Sequence, residues 1–253
     1  MQEVSGSNPL CSTTATVGEI AAMKRLLILL LVCGSGIIPT QKAAAREVQS
    51  HGLLFEQWLR ETFFGGYMPE SHTQKWDIPA AANPDHGRIP VNPKAAKHGT
   101  PVGLGDALRQ FEIAETFLLI VGFWQQTTPA EKRWTNVQSV VVTPEKWKKL
   151  WFPVTSEDLK RLDTVIKDKS LSLEEARVRA QSIKSRPPFT EAVIQVNPKI
   201  DGSQRRLQCS LRFDDFFKHL APQASSAPQV LPQVFGVPVP AAFESAPRKL
   251  GPP

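Results

Sequence analysis

Two short stretches carry groups able to do chemistry together: Trp76-Asp77-Ile78 and Ile89-Pro90-Val91-Asn92-Pro93-Lys94. A carboxylate such as Asp77 can hold a hard divalent cation. An ammonium such as Lys94 can steady negative charge on a reacting phosphate. Hydrolysis of a phosphodiester asks for both, because its transition state gathers charge on oxygen and its water must be made more acidic. The position two residues before Lys94, where a second carboxylate would complete the set, holds Asn92. A further carboxylate, Glu56, lies upstream in a helical stretch.

Other chemistries lack their residues. The chain has no Gly-rich phosphate loop, no Gly-x-Ser-x-Gly elbow and no His-Glu-x-x-His pair. Of its 3 cysteines, Cys11 and Cys33 fall in the first 45 residues, which leaves Cys209 without a partner for a disulfide or a thiolate zinc site. Asp85, His86 and His98 match no metal-ligand spacing and read as loop residues. Asp106 follows Gly105 at an expected helix start and reads as a cap or first-turn charge.

The elements that must position these groups follow from periodicity. His51 to Phe64 reads as a helix closed by Gly65-Gly66, with Leu53, Leu59 and Phe63 as its apolar stripe. Glu56 falls within that stripe, about 20° from Phe63. It is either a boundary carboxylate paired to a cation or a neighbour for Asp77. Thr73 to Ile78 reads as a strand, and Ile89 to Lys94 as a second, short one. Pro90 and Pro93 each remove a ladder donor, so that second strand must be an edge, a bulge or partly irregular. Gly103 to about Glu112 reads as a helix. Phe117 to Trp124 is a near-continuous apolar run, expected as a central strand covered on both faces.

Thr128-Pro129 and Thr143-Pro144 each place Pro at a first helical position after a capping hydroxyl, and Ser172 with Glu175 matches a capping box. Helices are expected near 144–151, 157–168 and 173–184, with a strand over Val137 to Thr143. A β region begins at Ala192. Arg205 to Phe213 alternates: Leu207, Cys209, Leu211 and Phe213 point one way, while Arg206, Gln208, Ser210 and Arg212 point the other. That second face suits phosphate or base contacts and equally an ordinary solvated surface.

This order of elements resembles the core of the restriction-endonuclease-like PD-(D/E)XK nucleases. The resemblance is carried by Phe55-Glu56, Trp76-Asp77-Ile78, Val91-Asn92-Pro93-Lys94 and the stretch Leu104 to Phe111, and it covers about residues 48–215. It implies an α/β fold, a mixed central sheet flanked by helices, and a divalent-metal-dependent DNA endonuclease of restriction type. It implies Asp77 as a metal ligand, with Mg2+ as the ion, and Glu56 as a supporting ligand from the first helix. Lys94 would orient the attacking water or stabilise the pentavalent phosphorane. The basic strand, through Arg205, Arg206, Gln208 and Arg212, would contact double-stranded DNA. A two-fold homodimer is the simplest way to cut both strands. Asn92 departs from the family pattern of Asp or Glu. An amide oxygen can ligate a hard cation without charge, or the site is silent and the fold only binds DNA.

The ends differ from the body. Met23-Lys24-Arg25, the apolar run Leu26 to Val32 and Ala43-Ala44-Ala45 form a charged start, an apolar stretch and a small-residue cleavage site. Residues 1–45 therefore read as a leader with translation starting at Met23, the apolar run being too short for a comfortable membrane span. This implies a secreted or periplasmic protein with no integral span in the mature chain. Translation starting near Arg46 would instead make it cytoplasmic. An exported globular protein of unknown binding function is the alternative of another class. Residues 46–220 form the expected domain, and 221–253, rich in Pro, Ala and Gln, read as disordered or extended. The 253-residue chain carries 30 basic and 24 acidic side chains, a mild excess that fits a polyanion partner without requiring one.

Overall fold

The computed structural model describes residues 50–69, 75–129 and 131–244. The leader, and Thr73 and Gln74 of the strand expected over Thr73 to Ile78, lie outside the described residues; Lys75 to Ile78 form no strand, and Ile78 alone makes an isolated bridge to Val91. The fold is α/β. Its main sheet has four strands in the order β1 (Val91–Lys97), β3 (Phe117–Thr128), β4 (Glu131–Val142), β9 (Ala242–Glu244). β1 and β3 run parallel and the other pairs antiparallel, so the sheet is mixed. Parallel neighbours need a crossover. Here it consists of strand β2 (Val102–Asp106) and the short helix α2 (Ala107–Phe111).

β3 is the centre. Phe117 to Phe123 is buried without a break. Phe117, Leu119, Val121 and Phe123 enter a large core, while Leu118 and Ile120 enter a smaller one on the other face. The smaller core is closed by helix α1 (Ser50–Phe63) through Phe55 and Leu59. The stripe expected on α1 needs correction: Leu53 is 54% exposed. At 100° per residue Leu53 stands about 120° from Leu59, whereas Phe55 is about 40° away and takes the buried place.

Gly122 explains how closely α1 approaches. A Cβ there would lie 2.8 Å from the Trp134 ring and 2.9 Å from that of Phe55. Those two rings meet with centroids 4.6 Å apart.

The larger core is roofed by a second, antiparallel sheet in the order β2, β6 (Arg205–Leu211), β5 (Ile194–Ile200). Leu207, Cys209 and Leu211 point inward as the alternation predicts, but Phe213 opens helix α6 (Phe213–His219) instead of continuing the strand. Helices α3 (Pro144–Trp151), α4 (Ser156–Lys167) and α5 (Leu173–Lys184) complete this core. Thr143 caps α3 with Pro144 in its first turn, and Ser172 with Glu175 forms the expected capping box of α5. A second box, Thr155 with Asp158, opens α4.

Two expected helices differ. Thr128-Pro129 lies at the tip of the β3–β4 hairpin, where Thr128 faces Glu131 and the Gln126 amide donates to both their carbonyls. The long pairing with β3 overrides the local helix-start signal. Val102 to Asp106 is strand β2, with a bulge between Gly103 and Gly105. Gly105 supplies the positive φ of 97° that this bulge requires. Only the five residues after Asp106 are helical, and Asp106 caps them by accepting from the Arg109 N–H.

The segment 221–244 is extended and held against the body. The buried Asn136 amide donates to the carbonyls of Ser225 and Ala227, each at 2.9 Å. The Gln229 N–H donates to the Thr135 carbonyl. A small hairpin, β7 (Gln233–Val234) with β8 (Val237–Pro238), places Phe235 flat on His86, with centroids 3.8 Å apart, and β9 then pairs with β4. Composition alone cannot reveal this docking, because its hydrogen-bond partners sit far away on β4. Among the described residues no helix is long and apolar enough to cross a membrane.

Gly122→Ala is expected to destabilise the protein by about 1–3 kcal/mol, since neither the Phe55 nor the Trp134 ring has room to retreat. Urea unfolding followed by tryptophan fluorescence measures this, and an unchanged midpoint would mean that the rings repack freely.

Candidate functional site

Lys94 stands on an edge strand. β1 has β3 on one side and, on the other, a single antiparallel bridge between Ile78 and Val91. The edge position accommodates Pro93, whose missing N–H would break an interior ladder. The bridge also sets Asp77 beside the strand. Its flank is anchored by Trp76, which packs on Phe117 at 5.1 Å and donates its indole N–H to Glu115 at 3.0 Å. Hydrogen bonds from Lys75 and then Trp76 hold the Glu115 carboxyl below its ordinary range.

The Lys94 ammonium donates to Asp77 Oδ2 at 3.0 Å and to the Pro93 carbonyl at 2.9 Å. The Lys94 side chain is 18% exposed and that of Asp77 38%, so the pair sits at the surface with its carboxylate outward. Val91 belongs to the smaller core and Ala96 to the larger one. Alternation therefore puts Asn92 and Lys94 together on the larger-core side of β1. Asn92 is buried.

Glu56 is placed differently. It pairs with Arg60 one turn along α1 at 2.8 Å, and α1 covers the smaller core, across the sheet from Lys94. Two residues that the sequence places elsewhere, Cys209 as an inward strand residue and Asp106 as a cap, are coupled electrostatically to the lysine instead. The Cys209 thiol is pushed well above its ordinary value of 9.0 by burial, further by the Asp106 carboxylate, and is drawn back partly by the Lys94 ammonium. Asp106 and Lys94 are thus both within electrostatic reach of one buried thiol. Only the turn from β2 into α2 reveals this, and the expected longer helix hides it.

The four polar residues expected to face DNA divide. The Arg205 guanidinium donates to the carbonyls of Asp168 and Leu171, tying the α4–α5 loop to β6. Arg212 pairs with Asp215 in the first turn of α6. Arg206 is exposed on the outer face of the second sheet, with the half-buried Gln208 beside it. His86 stacks on Phe235, and His98 meets Thr135 Oγ1 at 3.1 Å, its imidazole pKa lowered by burial. These two histidines therefore serve packing.

Among the described residues no group of three or more His, Cys, Asp or Glu side chains is arranged to hold a metal ion. Magnesium needs less, since it keeps several waters and uses one or two carboxylates. Asp77 and the amide oxygen of Asn92 are hard donors of the kind magnesium takes, with Lys94 already on one carboxylate oxygen. The chain matches no protein-family profile, no curated protein and no solved structure.

The raised Cys209 pKa has a pH consequence. An unfolded chain ionises this thiol near its ordinary value while the folded one keeps its proton. The unfolded state then binds fewer protons, and stability falls as pH rises above about 9. Cys209→Ala is expected to flatten that alkaline loss. Urea midpoints compared between neutral and alkaline pH test it, and identical slopes in the two proteins would refute the assignment.

Proposed function

We propose that this protein is a divalent-metal-dependent DNA endonuclease built around Asp77 and Lys94. The observation that carries the reading is the 3.0 Å pair itself, formed by an antiparallel bridge and an edge strand whose next element in the sheet, β3, runs parallel to it. Asn92 on the same strand face adds a neutral hard donor, and the restriction-endonuclease-like arrangement inferred from sequence is compatible with this order. A magnesium ion held by Asp77 and Asn92 would neutralise phosphate charge and acidify water. Lys94, held in place by Asp77 and the Pro93 carbonyl, donates its remaining proton to the phosphate oxygen on which charge develops. Its largely buried stem keeps that donor oriented before substrate arrives.

A second reading, a DNA-binding module without catalysis, is favoured by two observations: Asn92 brings no charge, and Glu56 is engaged by Arg60.

Plasmid cleavage with and without Mg2+ separates the two. Asp77→Ala and Lys94→Ala should each lower cutting by about 10²-fold or more. The partly exposed pair contributes no more than about 1 kcal/mol to stability, so both variants should remain folded. Glu56→Gln should leave the Mg2+ requirement unchanged, because its carboxylate serves Arg60 across the sheet. Metal-independent cutting, or full activity in the Asp77 variant, would remove the assignment. DNA retention on a gel without any cutting would select the binding module.

A further inference from the structure

We propose that the groove between α5 and β5, continued over the outer face of the β5–β6 hairpin, binds the phosphate backbone of double-stranded DNA. The proposal rests on the nucleic-acid reading above and moves its contact surface away from Arg205 and Arg212, whose guanidinium groups are engaged within the fold. The groove encloses about 740 Å3 and is lined by Arg177, Lys184 and Lys199, with Gln181 and Asn197 between them. Glu174 is the one acid of its lining, and it faces the Arg177 guanidinium at 3.5 Å. Arg177 is also fixed from behind, its Nε donating to the Ile200 carbonyl at 2.9 Å. A cation held by the backbone at a groove wall is oriented before any ligand arrives.

Strand register extends the patch. Lys199 lies directly opposite Arg206, and Asn197 opposite Gln208. Like charges facing each other across antiparallel strands are destabilising, and no acid stands between these two in the pairing. An anion bridging them removes that cost. At the far edge of the same sheet β2 contributes Gly103, beyond which a Cβ would meet only open space. A position without a side chain lets a polymer approach the backbone closely there. The groove cations, the facing Lys199 and Arg206 and the open position at Gly103 together form the surface assigned to the duplex backbone, with Glu174 and Asp106 as its acids.

The test is anisotropy of a fluorescein-labelled duplex titrated with the full chain over a salt series. The proteins compared are wild type, Lys199→Ala, Arg206→Ala, Lys184→Ala, and Lys149→Ala on the exposed side of α3 as control. Each groove variant should weaken binding and lower the slope of log affinity against log salt by about 1, while Lys149→Ala matches wild type. Lys199→Ala should also melt no lower than wild type, because it relieves the repulsion with Arg206. Loss of affinity with retained stability therefore cannot be ascribed to misfolding. Unchanged affinity and slope in all three groove variants overturn the proposal, even when Mg2+-dependent cutting by wild type stands. A wild-type chain that binds no duplex overturns it as well. Asp77→Ala that binds normally but does not cut separates the groove from the catalytic reading.

Discussion

Seven successive buried residues, Phe117 to Phe123, leave β3 no face and no edge that can meet water. A strand of this kind must find two packing layers and two pairing partners. The alternation of its side chains allocates them, odd numbers to the large core and even numbers to the small one. The lack of a side chain at Gly122 lets α1 close one side, and the second sheet with its helices closes the other. β4 takes one edge by a tight hairpin. The other edge is left for β1, which reaches it in parallel through the β2–α2 crossover.

The position of Lys94 is a by-product of that arrangement. Once β1 is in register with β3, Lys94 stands level with Val121 and Asn92 with Leu119, both facing the large core. A lysine there must lead its charge outward along its own stem, because an ammonium left in apolar surroundings is costly. Asp77 receives it at the boundary. Asn92 is in the more enclosed position, where a carboxylate would need a cation of its own, and an amide avoids that requirement. The same physical logic explains Cys209: a thiol among apolar side chains, with Asp106 nearby, stays protonated.

Much of this was legible in the sequence where one periodic pattern dominates. The run 117–124, the alternation of 205–211 and the capping residues at 143 and 172 each specify an element with little help from elsewhere. The edge placement of β1 followed from two prolines. Legibility failed where a distant partner outweighs a local signal. Thr128-Pro129 has the chemistry of a helix start but sits in a hairpin pinned by Gln126. Gly103-Leu104-Gly105 reads as a helix entry but is a bulged strand, because β6 offers it a ladder. The pairing of Asp77 with Lys94 could be expected, while the pairing of Glu56 with Arg60 rather than with the site could not, since it depends on which face of the sheet α1 covers.

The strap formed by residues 221–244 changes how the molecule must be made. The Asn136 amide bonds to carbonyls 89 and 91 residues later in the chain. During synthesis β4 is complete long before those carbonyls leave the ribosome. Its outer edge, the face of His86 and the buried places of Val234 and Val239 all wait for partners that do not yet exist. A nascent chain at that stage carries an open sheet edge, the kind of surface on which chains pair with each other instead of with themselves. This strap therefore acts as an internal clasp. Its arrival separates a chain that is still able to associate through its sheet from one that is finished.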